Sequence, residues 1–250
     1  MNPLDLCTAS SLPTHAVRLS TPSQPRRHSA GWGRELCSAL LLALPLLGCG
    51  GDPFDALDLS TFASPRCTAD GFLAVAGLTP ASAVDYLALR RVVFDNVGGP
   101  PSTTYTVDST GTACASAANR GACEAAVAGL DPRAGFHQDG TWMAGSYSYL
   151  VATAGDSIQS VTDRAALLRF SAPIEQAQEA LIWVWSVGYD VSCTDKSQGA
   201  VRSATDGFEI LTRYRSPGLT GVPRSIYQKL IQVRSDGTMS ELMSKLVGRS

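Results

Sequence analysis

Residues 200–214, AVRSATDGFEILTRY, decide the fold. Two runs with high β-propensity, 200–205 and 208–214, flank Asp206-Gly207, and an Asp-Gly pair between such runs is a strong β-hairpin signal. The same arrangement recurs about 30 residues later, where 226–234 and 238–247 flank Asp236-Gly237. The two signals predict a meander of antiparallel strands, although the pattern of 238–247 is also compatible with a helix.

Upstream of the meander, short apolar or β-rich runs alternate with turn residues. They predict strands at 72–78, 84–94, 103–107, 147–153, 158–161 and 188–193, with an irregular loop at 131–146. The run 84–94 also has residues that suit a helix, and we favour the strand. Antiparallel strands in sequence with helices between them predict an α+β fold: a single domain with a largely antiparallel sheet and two or three inserted helices.

Three segments have helical signals. Residues 119–129 begin at Asn119, a good N-cap, and end at Gly129. Thr162 is expected to cap a short helix over 163–170. Residues 174–187 place apolar side chains at helical spacing, and from Ala180 onward the polar face disappears, so we expect the second half of this helix to be buried on all sides.

The N-terminal region contains a targeting signal. Residues 38–47 are uncharged and mostly aliphatic, Arg34 precedes them, and Gly48-Cys49 follows. Ten apolar residues are too few to cross a bilayer but suit the core of a secretory signal peptide. The alternative is a buried helix of a soluble protein. The ending Leu-Leu-Gly-Cys resembles the lipobox of bacterial lipoproteins, which implies cleavage before Cys49 and acylation of its sulfur.

That resemblance divides the chain into three parts. Residues 1–48 are the leader and signal peptide, 49–66 a lipidated cysteine with a flexible tether, and 67–250 the α+β domain. The implied location is the bacterial cell envelope, and Gly50 after the acylated cysteine favours the outer membrane over the inner one. The membrane, reached through the lipid, is then the first expected partner.

Charge is distributed unevenly along the mature chain. Residues 50–195 contain 7 basic and 16 acidic residues, a net charge of −9, whereas 196–250 contain 9 basic and 4 acidic residues, a net charge of +5. The basic segment suits an anionic lipid head group or an acidic partner, or it pairs with the acidic part of the same domain. The mature chain as a whole is acidic, which argues against nucleic-acid binding.

Four cysteines follow Cys49, and an even number in an oxidising compartment indicates disulfides. Three pairings are open. Cys114 and Cys123 enclose a short loop, so we favour that bond, with Cys67–Cys193 as the second. Metal binding is the rival interpretation, but the Cys-x-x-Cys spacing is absent and residues 49–250 contain one histidine.

Three runs resemble uncharacterised secreted bacterial proteins: residues 149–156, 180–193 and 206–211. The resemblance extends over roughly residues 67–247, and its motifs are structural. It supports the disulfides and the fold class, and it implies no activity.

Signals for chemistry are weak. His137 with Asp139 and either Ser146 or Ser148 is an imaginable hydrolase triad, but no Gly-x-Ser-x-Gly elbow is present. A glycosidase-like secreted hydrolase would use two acidic residues, the candidates being Asp139, Asp156, Asp163, Glu175 and Glu179. We favour a binding or structural role without a cofactor. The expected partner is an envelope protein or a glycan, with Trp142 and Tyr147 as candidate ligand contacts.

Overall fold

The computed structural model describes residues 52–95, 101, 103–140, 144–217 and 223–250, the side chains of 139 and 140 excepted. Within them the chain forms two antiparallel sheets and three helices, which confirms the predicted α+β class. The elements are β1 Tyr86–Phe94, β2 Thr103–Gly111, α1 Arg120–Ala128, β3 Phe136–Gly140, β4 Gly145–Ala154, β5 Ser157–Val161, α2 Arg164–Ser171, α3 Ala177–Ser186, β6 Ala200–Ala204, β7 Gly207–Arg215, β8 Ser225–Val233 and β9 Met239–Arg249. Residues 38–47, predicted to be the core of a signal peptide, and Cys49 lie outside the described residues.

The first sheet is built around β4. Its strands are ordered β2-β1-β4, and β3 and β5 both pair with the remaining edge of β4. β3 pairs with Gly145–Ser148 and β5 with Leu150–Ala154, so the two short strands lie end to end. The segment 84–94, ambiguous in sequence, is a strand because β2 and β4 pair with it on both sides.

The second sheet is the predicted meander, with the order β6-β7-β8-β9. Ala204 pairs with Gly207 across the first turn, and Gly207 has φ +124°. A Cβ at Gly207 would lie 2.1 Å from the carbonyl oxygen of Val233, so only glycine fits this turn. The ambiguous segment 238–247 lies in β9, where pairing with β8 overrides its helical propensity.

Helix α3 lies between the two sheets. Ile182 and Trp185 pack with Leu87 and other apolar residues of the first sheet, whereas Leu181 and Val184 pack with Ile210 and its neighbours in the second. A helix that touches a sheet on each side needs apolar residues all round. The expected burial of its second half is confirmed, apart from the half-buried Trp183.

Each sheet is also covered on its outer face. Helix α1 lies against the first sheet, and Val127 packs with Tyr149. Phe54 and Phe62 pack against Leu211 and Leu230 of the second sheet. These two rings are only 8% and 2% exposed, so from Asp52 onward the segment expected to be a flexible tether is packed onto the domain.

Two disulfides join the predicted cysteine pairs. The Cα atoms are 6.1 Å apart in Cys67–Cys193 and 6.0 Å apart in Cys114–Cys123. The longer bond links the loop before β1 to the loop before β6, and the shorter one links α1 to the segment that follows β2. This confirms the pairing preferred from loop length.

Several local expectations differ from the structure. The strands expected at 72–78 and 188–193 are loops, each with one isolated bridge, Cys67 to Leu73 and Asp190 to Arg213. The loop expected at 131–146 contains β3, because pairing with β4 orders a segment that reads as turn residues. The carboxylate of Asp163, not Thr162, caps α2 by accepting from the amide of Ala166 at 2.8 Å.

Candidate binding site

Of the two residues proposed as ligand contacts, Trp142 lies outside the described residues, and the structure describes Tyr147. Tyr147 is 9% exposed, and its hydroxyl donates to the carbonyl of Pro132 at 2.6 Å. Phe94 lies against its ring, with centroids 6.1 Å apart, and burial raises the pKa of the phenol above its ordinary value. Tyr147 is therefore part of the core beneath α1 and presents no surface to a ligand.

A cleft of about 380 Å³ lies around His137 instead. Its walls come from the start of β3, from the start of α2 and from the end of α3. The lining residues are Gly135, Phe136, His137, Gln138, Asp163, Arg164, Ser186, Val187 and Gly188. The cleft thus combines residues that are up to 53 positions apart in sequence.

His137 is held in an unusual conformation. Its backbone φ is +50°, in the left-handed region that non-glycine residues rarely occupy. The imidazole stacks on the indole of Trp185, with ring centroids 4.3 Å apart and an interplanar angle of 21°. Its Nδ1 lies 2.9 Å from the backbone carbonyl oxygen of Trp185. Strained backbone of this kind concentrates at functional sites, where the surroundings hold it in place.

The hydrogen bond to Trp185 sets the chemistry of the ring. A carbonyl oxygen only accepts, so Nδ1 must carry a proton, and in the neutral imidazole the lone pair is then on Nε2. Stacking and the hydrogen bond both involve Trp185, so they fix the plane of the ring as well as its tautomer. The result is a pre-oriented imidazole at the cleft, held in place by Trp185.

The other polar groups of the cleft come from the ends of the two helices. Asp163 and Arg164 are exposed, and Asp163 Oδ1 is committed to the cap of α2. Ser186 is buried and donates to the carbonyl of Trp183 at 2.7 Å. The cleft therefore offers an imidazole, a guanidinium, the amide of Gln138 and a carboxylate within a small volume, a mixture of donors and acceptors that suits a small polar ligand.

The hydrolase candidates are dispersed. Glu179 is 2% exposed, and its carboxylate accepts the backbone N–H groups of Thr79, Glu175 and Gln176 at 2.8–2.9 Å. Asp156 accepts a hydrogen bond from the backbone N–H of Asn119. The side chain of Asp139 is outside the described part, and among the other four acidic candidates Asp163 alone lines the cleft at His137.

The serines of the imagined triad are buried in the first sheet. Ser146 and Ser148 are 6% and 2% exposed on β4. The hydroxyl of Ser146 accepts from the guanidinium of Arg91 at 2.7 Å, so it is already occupied in packing the sheet.

A second cleft of about 430 Å³ lies between β2 and the end of α1. Arg90 lies at this cleft and donates to the carbonyl of Val127 at 2.8 Å, near the C-terminal end of α1. Tyr105, 38% exposed, lines this cleft together with Thr104 and Thr106. Its arginine is bonded to the helix, which leaves this cleft less reactive than the one at His137.

Sequence reasoning singled out His137 but neither Trp185 as its partner nor Arg164 and Gln138 as neighbours. The stacking joins positions 48 apart, and nothing in the local pattern indicates it. The signal that was available is the single histidine of residues 49–250, which stands between glycines at 135 and 140.

Within the described ranges, no group of three or more His, Cys, Asp or Glu side chains is arranged to hold a metal ion. In the same part of the chain, no helix has the length and apolar character needed to span a bilayer. Comparison of the sequence with protein-family models and with curated proteins finds no match, and comparison with solved structures finds none either.

Proposed function

We propose that this protein is a lipid-anchored component of the bacterial cell envelope, more specifically of the outer membrane, and that its domain binds a small polar ligand. The observation that carries the proposal is the cysteine arrangement. Of the five cysteines from residue 49 onward, four pair with one another, which suits an oxidising compartment. Cys49 is the fifth, and it follows directly on the apolar signal sequence.

The cleft at His137 supports the binding role. It places an oriented imidazole beside Arg164, Asp163 and Gln138, and a ligand with several hydroxyl or amide groups, such as a glycan unit or a short peptide of the envelope, would match these donors and acceptors. Among the candidate catalytic carboxylates, Asp156, Asp163 and Glu179 accept backbone N–H groups, which favours binding over a two-carboxylate hydrolase mechanism.

Replacement of the anchoring cysteine tests the location. Cys49→Ala should leave the protein unlipidated, so that it partitions into the aqueous phase of a detergent extraction and lacks the mass of the acyl chains. Cys37→Ala, in the proposed leader, is the matched control and should partition like the wild type. A Cys49→Ala protein that still enters the detergent phase would contradict the anchor.

Titration with defined ligands tests the cleft. Cell-wall oligosaccharides and their peptide-bearing fragments would be titrated into the exported domain and followed by NMR chemical shifts. We expect shifts centred on residues 135–138 and 186–188, and at least tenfold weaker binding for His137→Gly and Arg164→Ala. Thr104→Ala, in the second cleft, should bind within twofold of the wild type. Shifts centred on the second cleft would refute the assignment.

A further inference from the structure

Few residues separate the proposed anchor point from the first residue that contacts the last strand of the second sheet. Three peptide units join Cys49 to Asp52, so their Cα atoms are at most about 11 Å apart. The carboxylate of Asp52 forms an ion pair with Lys245 of β9, and Phe54 is buried against the same sheet. A lipid on Cys49 would therefore keep the domain that contains β9 within a short stretch of chain from the membrane surface.

The surface of β9 has an unusual amount of exposed apolar area. Leu242, Leu246 and Val247 are 44%, 47% and 47% exposed, and they are the three most exposed of the large apolar residues in the described part of the chain. Leu242 and Val247 are the extra residues at the two irregularities in the pairing of β8 with β9, between Glu241 and Met243 and between Leu246 and Gly248. Exposed apolar patches of this kind mark interaction surfaces.

The charge around these side chains is positive. Residues 223–250 contain five basic and two acidic residues, a net charge of +3; Lys245 and Arg249 belong to β9 itself, and the ion pair with Asp52 partly neutralises Lys245. Glu241, the acidic residue of this strand, is paired with Lys229 of β8. A mixture of apolar and basic side chains on one exposed strand complements the interface of a bilayer that contains anionic lipids.

The backbone of β9 disfavours pairing with an additional strand, which is the other obvious occupant of this edge. Within the described residues β9 has no strand on its outer side. A second copy or a peptide would need a regular run of N–H and C=O groups there, but two bulges interrupt the strand, and bulges and lysines are the devices by which edge strands avoid pairing.

We propose that β9 is a membrane-docking edge: Leu242, Leu246 and Val247 enter the interface of an anionic lipid surface while Lys245 and Arg249 contact its head groups. The inference builds on the proposed lipid anchor, which brings this edge to the membrane. Its occupant is the lipid surface, and pairing with a second copy is an outcome that would overturn it.

Vesicle sedimentation of the unlipidated Cys49→Ala protein measures the contribution of β9 to membrane binding separately from that of the lipid anchor. We expect it to bind vesicles of phosphatidylethanolamine and phosphatidylglycerol at least fivefold more strongly than vesicles of phosphatidylcholine. The double variant Leu246→Glu/Val247→Glu in the same background should lose at least fivefold in binding. Tyr105→Glu, an equivalent change at a similarly exposed residue of the first sheet, should lose less than twofold. Circular dichroism checks that each variant is folded.

Hydrogen exchange of the lipidated protein gives a second readout. On the anionic vesicles, amides of β9 should exchange at least threefold more slowly than in detergent micelles, while those of β2 should not change. Three results would overturn the docking edge and leave the anchor standing. They are vesicle binding by the double variant equal to that of the Cys49→Ala protein, unchanged hydrogen exchange of β9, and a dimer in solution that the double variant disrupts. An unlipidated wild type would refute the anchor, and the sedimentation experiment would still decide the edge.

Discussion

The side chain of Gln178 hydrogen-bonds to both backbone groups of Arg66, 112 positions away in sequence. Oε1 accepts the N–H of Arg66 at 3.1 Å, and Nε2 donates to its carbonyl at 2.9 Å and to the carbonyl of Ala74 at 2.8 Å. The side-chain amide of Gln178 thus makes the hydrogen bonds that a neighbouring strand would otherwise make to the loop that contains Cys67. This loop has little regular structure of its own, so the contact to α3 fixes its position.

Gln178→Ala should lower the free energy of unfolding by about 2–4 kcal/mol, because it leaves the part-buried N–H of Arg66 and the carbonyl of Ala74 without this partner, while the carbonyl of Arg66 keeps its bond from the N–H of Ala74. Gln178→Glu should be worse at neutral pH, since a carboxylate cannot donate to the two carbonyls and its charge would be buried. Urea unfolding measures both. Gln159→Ala, at an exposed position of β5, is the control and should change the value by about 0.5 kcal/mol or less. A Gln178→Glu protein as stable as the wild type would contradict the bonding described.

Glu179 orders both the start of α3 and the loop before β1. Glu179→Ala should cost about 3 kcal/mol or more in unfolding free energy, because three backbone N–H groups lose their acceptor. Glu179→Gln, which keeps the volume and one acceptor oxygen, should cost less. The matched control is Glu124→Ala on α1, whose exposed pair with Arg120 contributes about 0.5 kcal/mol or less. Equal losses for Glu179→Ala and this control would argue against the capping role.

The two disulfides should contribute unequally. The chain-entropy relation gives about 5 kcal/mol for Cys67–Cys193, with a sequence separation of 126, and about 3 kcal/mol for Cys114–Cys123, with a separation of 9. We therefore expect the Cys67→Ala/Cys193→Ala variant to unfold at lower urea concentration than Cys114→Ala/Cys123→Ala. Thiol counting on the unreduced wild type should find none of these four cysteines free. The reverse order of stability would show that packing around the short bond outweighs loop entropy.

Two substitutions separate the effect of the His137 backbone conformation on stability from the effect of its side chain. Both His137→Ala and His137→Gly lose the stacking on Trp185 and the hydrogen bond to its carbonyl. Glycine adopts φ +50° without the steric cost that alanine incurs, so the glycine variant should be more stable by about 1 kcal/mol. Thermal or urea unfolding measures the difference. Equal stability of the two variants would mean that the left-handed conformation relaxes once the imidazole is removed.

Asp85 links β1 to the turn between β4 and β5, and it makes stability depend on acid pH. Hydrogen bonds from the Ser116 hydroxyl and from the backbone N–H of Gly155 lower the pKa of this carboxyl below its ordinary value. A lowered pKa in the folded state gives stability that is present above the ordinary pKa of about 3.9 and lost as the pH falls below it.

Asp85→Asn should consequently be less stable than the wild type at pH 7, and the difference should shrink at pH 3. Urea unfolding at the two pH values measures both quantities. Ser116→Ala removes the strongest of the donors and should reproduce part of the effect. A difference between Asp85→Asn and the wild type that is the same at both pH values would exclude this origin of the pH dependence.

The parts of the fold that sequence predicts are those with local causes. Both Asp-Gly turns, the cap at Asn119 and the all-round apolar end of α3 are determined by neighbouring residues, and the structure contains each of them. The parts that it does not predict depend on distant partners. β3 is a strand only because β4 pairs with it, and Phe62 is buried only because Leu211, about 150 positions later, provides a surface.

The candidate site shows the same division. His137 is recognisable in sequence as a single histidine among turn residues. Its orientation comes from Trp185, which helical periodicity assigns to the core, as the structure confirms at 8% exposure. Trp185 packs in the core and also positions His137. The local sequence indicates only its place in the core. The residue type likewise does not reveal the left-handed backbone at position 137, because the residue there is a histidine and not a glycine.

The packing of Phe54 and Phe62 has a consequence for the order of events during synthesis. These two rings are among the first parts of the domain to leave the ribosome, yet the strands that cover them, β7 and β8, are among the last. The cluster that Phe54 and Phe62 form with Leu211 and Leu230 therefore cannot close until β7 and β8 have been synthesised. Completion of this part of the core depends on the first segment of the domain meeting two of its last strands.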